Sequence, residues 1–273
     1  MKVDTVVLGA GIVGICVALH LQKRGRQVAL VDRRGAAEET SFGNAGLIQR
    51  EGVYPYGFPH DFGALLRYGF NRTIDAHYHP SALRDLAPFL WKYWHHSRRE
   101  RHARIAQVYS RLIEHCVSEH DALAAEAGAA DLIRRNGWMR IFRTEAERDK
   151  RFAEAAAWRA EFGINFSQLG QKELREKEPH LAPFLVGALH WTDPTTVIDP
   201  QGLAHAYLKL FETRGGMFLQ GNAMSLKQDL EHWSIQTVDG NLQAHAAVLA
   251  LGPWADVVTR ALGYDLPLAV KRG

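Results

Sequence analysis

Apolar residues gather at positions 3 and 6–8, interrupted by Asp4 and Thr5, and read as a buried parallel strand over residues 3–8. A helical pattern follows over 12–24 and stops at Gly25; a second apolar run, 27–31, ends on Asp32. A loop rich in Tyr, Pro and Gly occupies 51–61. From about 81 to 127 the pattern is helical. Ile105, Val108, Tyr109, Leu112 and Ile113, continuing to Leu123, recur at three and four and predict one apolar face. Residues 138–142 and 186–191 read as strands, 145–162 and 172–177 as helices. Pro200 suits the first turn of a helix over 200–214, and 217–220 reads as a third parallel strand. Strands over 223–227 and 233–238 predict a hairpin-like meander with a turn at Asp239-Gly240. A very apolar strand over 246–251 and a helix to about 262 follow. Residues 266–273 read as the start of a new strand, so a further C-terminal portion is expected.

Composition narrows the class without naming a function. The chain is 47% hydrophobic and 23% charged, as in ordinary globular proteins, and its net charge of +3 is too small to argue for nucleic acid. Cys16 and Cys116 show no metal or CxxC spacing, which fits a reducing, cytoplasmic setting, with Cys16 as a buried thiol in the first helix. The apolar run 6–21 is broken by glycines and followed by a strand, unlike a signal peptide or a membrane span. The sequons Asn71-Arg72-Thr73 and Asn165-Phe166-Ser167 carry no weight without a secretion signal. Fourteen histidines, among them the pairs His77/His79, His95/His96 and His115/His120, form no closed ligand set, so no metal is expected. No serine sits in a GxSxG elbow. Arg98, Arg99, Arg101 and Arg104 follow Phe89, Leu90, Trp91, Tyr93 and Trp94. The plainer reading is a solvated basic helix end with its aromatics packed inward. A membrane-surface helix is the second reading, and attraction of an anionic substrate the third.

The chemistry lies in Gly9-Ala10-Gly11-Ile12-Val13-Gly14, set between a strand and a helix. Gly9 permits the tight turn, Gly11 lets backbone approach a pyrophosphate, and Gly14 removes a side chain where the helix meets the sheet. The helix N-terminus presents amides to phosphates. Asp32, eighteen residues after Gly14, can accept both hydroxyls of an adenosine ribose. The order strand, glycine loop, helix, strand, acid predicts dinucleotide binding over a purely structural turn. The fold class is therefore α/β: a Rossmann-like domain with a parallel central sheet, discontinuous over 1–50 and 195–273. An inserted α+β substrate domain covers 51–194.

Two further blocks extend the pattern: Thr40-Ser41-Phe42-Gly43-Asn44-Ala45-Gly46 and Val248-Leu249-Ala250-Leu251-Gly252-Pro253-Trp254. With them the chain resembles the FAD-dependent amino-acid oxidoreductases, most of all bacterial D-amino-acid dehydrogenases, with glycine and sarcosine oxidases as relatives. The Thr-Ser-x-x-Asn-Ala-Gly block discriminates against a nicotinamide-dependent dehydrogenase. The resemblance implies FAD as cofactor and assigns roles residue by residue. Gly9, Gly11, Ile12, Val13 and Gly14 would hold the pyrophosphate, Asp32 the ribose, and Arg33 would flank the adenosine. Thr40 and Ser41 would lie at the phosphate and ribityl side, and Asn44, Ala45, Gly46 and Leu47 along the flavin ring. The backbone of Met224 would meet the adenine edge, and Gly252 and Trp254 would sit beside the phosphates.

The implied reaction is oxidative deamination of a D-amino acid to a 2-oxo acid, with electrons passing to a quinone or other respiratory-chain acceptor. A glycine- or sarcosine-type amine oxidase using oxygen is the alternative enzyme, and a non-catalytic, truncated flavin-fold remnant the alternative from another class. The resemblance also implies peripheral contact with the inner face of the membrane as a second localisation. Asp32, Gly43 and Leu251 depart from the glutamate, alanine and threonine more usual in the family. The family's C-terminal part, which supplies further flavin contacts and much of the substrate-carboxylate recognition, has no counterpart after Gly273. No catalytic side chain is assigned, because a neutral substrate amine needs no side-chain base.

Overall fold

A computed structural model describes residues 1–71, 77–229, 231–266 and 268. Most of the strand expected over 266–273, and Arg72 and Thr73 of the first sequon, lie outside the described residues. The chain begins with β1 (Lys2–Leu8), α1 (Ile12–Lys23), β2 (Val28–Asp32) and β3 (Leu47–Ile48). Four helices follow: α2 (Phe62–Gly69), α3 (Leu83–His96), α4 (Arg99–Ile113) and α5 (Cys116–Glu126). Next come β4 (Ile133–Arg134), β5 (Trp138–Phe142), α6 (Glu145–Phe162), β6 (Phe166–Gly170), α7 (Gln171–Lys177), β7 (Gly187–Trp191) and β8 (Thr195–Val197). The last elements are α8 (Pro200–Thr213), β9 (Met217–Gln220), β10 (Lys227–Gln228), β11 (Trp233–Thr237), β12 (Gly240–Leu249) and α9 (Ala255–Ala261).

The chain divides into two compact units. Unit 1 comprises residues 1–47, 119–134 and 196–273. Its six-stranded sheet runs β10-β11-β12-β1-β2-β9, with β12, β1, β2 and β9 mutually parallel. Val6, Leu8, Ala29, Val31, Leu219, Ile235 and Leu242 form its core. The meander expected at 223–238 takes another form. Residues Ala223–Ser225 make a short 3-10 turn capped by Asn222, and β10 keeps two residues. The apolar strand expected from 246 begins instead at Gly240, pairing antiparallel with β11 and parallel with β1. Helix α1 packs on α8, where Gln22 Nε2 donates to Phe211 O at 3.0 Å. Cys16 lies within α1, and burial pushes its thiol up to about 12, which keeps it protonated and unreactive.

This division differs from the expected boundaries chiefly at 119–134, which belong to unit 1. The physical reason lies in distant partners. Leu123 and Ala124 are buried, the His120 ring stacks on Tyr207 of α8 at 5.9 Å, and Lys23 of α1 pairs with Glu126 at 2.8 Å. Tyr207 Oη donates to His120 O at 3.0 Å and lies 3.2 Å from His120 Nδ1. The phenol has one hydrogen, so Nδ1–H donates back to Oη and the imidazole tautomer is set.

Unit 2 comprises residues 48–118 and 135–195. Its antiparallel sheet, β5-β7-β6, is covered by an aromatic layer in which Tyr54, Trp158 and Trp191 stack at 5.2 and 5.6 Å. Helix α6 has the expected span, fixed by a Thr144 N-cap and by left-handed Gly163 at its end. The helical stretch expected as one apolar face is broken into α3, α4 and α5, and α4 buries only Ala106. Ile105, Val108, Tyr109 and Leu112 are exposed. Phe89 and Trp91 are exposed too, so the expectation of inward-packed aromatics fails for both. Among the described residues no helix is long and apolar enough to cross a membrane.

Among the described residues of unit 2, Glu51 is the ionisable group most deeply placed, at 4% exposure. Its Oε1 accepts from Trp138 Nε1 at 2.7 Å and Gln49 Nε2 at 2.9 Å, while Oε2 is buried without a partner. Burial raises its pKa above the ordinary 4.5, and nearby Asp193 adds to the effect. A raised carboxyl binds its proton more tightly in the native state, so stability is lost as pH rises from 4.5 through the native value. Glu51→Gln keeps the acceptor for both donors and removes the charge. It is expected to raise the melting temperature at pH 7–8 by several degrees, corresponding to about 1 kcal/mol or more, with a smaller gain at pH 4.5. Thermal melts at the two pH values check this; an equal or negative change at pH 7–8 would refute it.

Candidate cofactor site

The C-terminal ends of β1, β2 and β12 open a cleft of about 530 Å³ within unit 1. The sequence dictates its floor. Gly9 has φ +104°, and a side chain there would collide with the Ala250 carbonyl at the end of β12. Gly14 lies buried one turn into α1, where a Cβ would overlap the Gly9 carbonyl oxygen. These two glycines let strand, loop and helix meet as backbone against backbone. Gly11 differs: it is the N-cap of α1 in an extended conformation, and a Cβ would lie 3.2 Å from Ser41 Oγ.

Around that floor the loop's polar groups are engaged. Gly9 N donates to Val31 O at 2.8 Å, and Ala37 N donates to Ala10 O at 2.9 Å. Ala10 N donates to Asp32 Oδ2 at 2.7 Å, and Arg34 N to Asp32 Oδ1 at 3.0 Å. Ser41 is buried, and its Oγ accepts from Ile12 N at 2.9 Å, satisfying the first free amide of α1. Arg33 and Arg34 both pair with Glu39, at 3.1 and 3.0 Å, and the Arg33 guanidinium sits 5.2 Å above the Trp254 ring.

Twelve of the sixteen expected site residues line the cleft: Gly9, Gly11, Ile12, Val13, Asp32, Arg33, Thr40, Ser41, Asn44, Met224, Gly252 and Trp254. Four do not. Gly14 lies beneath the floor, and Ala45, Gly46 and Leu47 are not among the residues that line it. Gly46 is buried and its carbonyl accepts from Val197 N at 2.6 Å, so this segment serves a second, smaller sheet. Asn44 folds its own loop, with Oδ1 accepting from Gly46 N at 2.8 Å. The Met224 N–H is taken by Asn222 Oδ1 at 3.0 Å. Sequence reasoning missed Ala37, Glu38, Glu39 and Asn222 on the cleft wall. Asn222 follows Gly221 in a readable turn signal. Ala37, at φ 60°, has none, since its conformation is imposed by the bond to Ala10.

The residues present fit a dinucleotide. Backbone rather than side chain meets the cleft at Gly11, a helix N-terminus opens onto it, and Asp32 lines it at the end of β2. Among the described residues no three His, Cys, Asp or Glu are grouped to hold a metal ion.

Comparison with known proteins agrees with this geometry. The chain is 28% identical to a D-amino-acid oxidase of Bradyrhizobium diazoefficiens, over 98% of its own length and 64% of that protein's. It is also 28% identical to a D-amino acid dehydrogenase of Chromohalobacter salexigens, over 99% of its length and 66% of the relative's. It thus spans slightly less than two thirds of the curated relatives it matches. Its fold resembles glycine oxidase from Geobacillus kaustophilus, with a TM-score of 0.66 at 21% identity, covering 97% of this chain and 59% of that one. L-amino acid deaminase from Proteus vulgaris gives 0.65 at 18% identity, covering 97% and 51%. The family model described as FAD dependent oxidoreductase matches residues 4–273, and the chain belongs to that FAD-dependent family.

Proposed function

We propose that the chain binds FAD in the unit 1 cleft and serves the oxidative deamination of a D-amino acid to a 2-oxo acid, with electrons passing to a quinone or another acceptor. The observation that carries this reading is the convergence of the glycine loop, the α1 N-terminus and Asp32 on one cleft. The names of the relatives, D-amino-acid oxidase and D-amino acid dehydrogenase, support the substrate class. The oxidase among them favours oxygen as a second acceptor.

Bound FAD supplies a hydride acceptor for the substrate Cα–H, which no side chain provides. The chain's own residues bind and orient. The amides of Gly11 and Val13 would hold the pyrophosphate at the positive end of α1. The Ser41 hydroxyl, accepting from Ile12, keeps its own hydrogen to donate there. Asp32 has lone pairs left for the ribose, Arg33 and Trp254 flank the adenosine, and Gly252 leaves room beside Thr40. Anaerobic titration of the FAD-loaded chain with D-alanine should bleach its visible absorption. A chain that cannot be loaded with FAD would refute the cofactor site, and a loaded chain that stays yellow would favour a cofactor fold lacking its substrate half.

A quinone acceptor calls for a membrane surface, and unit 2 offers one of suitable chemistry. Phe62 and Leu66 of α2 and Phe70, its C-cap, recur at every fourth residue and are exposed; Trp91 of α3 is 65% exposed. Arg67, Arg84, Lys92, Arg98 and Arg99 are exposed on these helices, and Arg98 sits 4.6 Å over the Trp94 ring. Aromatics beside cations suit an anionic lipid surface on the cytoplasmic side. Replacing Arg98 and Arg99 with alanine is expected to weaken co-sedimentation with vesicles containing anionic lipid by about tenfold or more. Binding that is absent in the parent, or unchanged in the variant, would rule the surface out.

A further inference from the structure

We propose that Asp32 is a positioning residue that holds the glycine loop in its binding shape before any cofactor arrives. The ribose contact implied by the resemblance would use only the acceptor capacity left over. This inference rests on the FAD reading for its functional meaning, but the clamp itself belongs to the cofactor-free chain.

The geometry of one peptide carries the argument. Ala10, the residue between the two leading glycines, is fully buried. Its N–H is held by Asp32 Oδ2 at 2.7 Å and its carbonyl by Ala37 N at 2.9 Å. The other oxygen of the same carboxylate takes Arg34 N at 3.0 Å, so Asp32 ties the loop after β1 to the turn after β2. Both bonds are charge-assisted and both need an acceptor. Neighbouring contacts complete the grip: Gly9 N is held by Val31 O and Ile12 N by Ser41 Oγ. Ala37 keeps a left-handed φ of 60° to reach Ala10, a conformation alanine holds only where its surroundings impose it. The Gly11 amide, between these held neighbours, is thereby aimed without being occupied by Asp32 or Ser41. A ligand meeting such a loop loses less entropy than one that must order it.

Asp32→Asn separates the two roles. Asparagine has nearly the same shape and can still hydrogen-bond a ribose hydroxyl. It has only one acceptor oxygen, so its amide group must oppose either the Ala10 or the Arg34 N–H. The measurement is amide hydrogen exchange of the full 273-residue chain, prepared without FAD. In the wild type the Ala10 and Arg34 amides are expected to exchange at least about tenfold more slowly than amides of an unstructured segment. In Asp32→Asn at least one of them is expected to lose that protection, while the amides of β9 and β11 keep theirs.

Unprotected Ala10 and Arg34 amides in the folded wild-type chain would overturn the clamp, whatever the variant does. So would full protection in an Asp32→Asn chain whose FAD affinity alone has fallen, because the acid would then act on the ribose only. A wild-type chain that shows the protection but takes up no FAD would support the clamp and overturn the reading of the cleft.

Discussion

A chain carrying Gly14→Ala is expected to be less stable than its parent by about 3 kcal/mol or more, and to take up no FAD. The sign is informative because the local preference points the other way. Inside a helix, alanine is favoured over glycine by about 1 kcal/mol. Here the added methyl would overlap the Gly9 carbonyl oxygen, which is backbone and cannot rotate aside. Gly9 has little room to retreat, since the space a side chain would occupy at its Cα is taken by the Ala250 carbonyl. Either α1 tilts off the sheet or the loop lifts, and in both cases packing around Ile15, Ala18 and Leu19, all fully buried, is disturbed. Denaturant midpoints of the two chains decide the matter. A more stable alanine variant would mean that the helix and the loop do not meet in the manner described.

Gly11→Val should separate binding from folding. Gly11 lies at φ −74°, ψ 175°, a conformation open to any residue, and its nearest obstacle is the Ser41 hydroxyl at 3.2 Å. The fold is therefore expected to survive with a loss of about 1 kcal/mol or less, within the range of ordinary substitutions. The valine methyl groups, however, would stand in the cleft where backbone should meet the pyrophosphate. FAD affinity is expected to fall at least about a hundredfold, corresponding to about 2.8 kcal/mol. Fluorescence titration with FAD, beside a melt of the apo chain, reads both quantities. Undiminished affinity would place the phosphates elsewhere.

The contrast between these glycines shows which parts of the molecule a sequence reveals. From Val3 to Asp32 each constraint is short in range: a buried strand, a turn that needs glycine, a helix that needs a flat face, an acid at the end of the next strand. The structure keeps that order with boundaries shifted by a residue. Residues 119–134 are different. Their place in unit 1 depends on His120 meeting Tyr207, 87 positions away, and nothing in the local pattern announces it. Glu51 is similar, since its burial is set by Trp138. The stripe on α4 misleads for another reason: periodicity shows that a helix has an apolar side, but not that anything covers it.

The strand β1 has a further consequence, for the history of the chain rather than its finished shape. It lies between β2, which begins at residue 28, and β12, which begins at residue 240. One flank of β1 can be satisfied almost as soon as it leaves the ribosome. The other waits until β12, more than two hundred residues later, has been synthesised, its row of amides and carbonyls bare in the meantime. Closing so long a loop adds little to the equilibrium cost, because that cost grows only with the logarithm of length. It weighs instead on rate, and on the danger that the open edge pairs with another molecule. The cleft shares this timing, since its floor sets Gly9 against Ala250. A nascent chain cannot begin to trap its cofactor until β12 has been made.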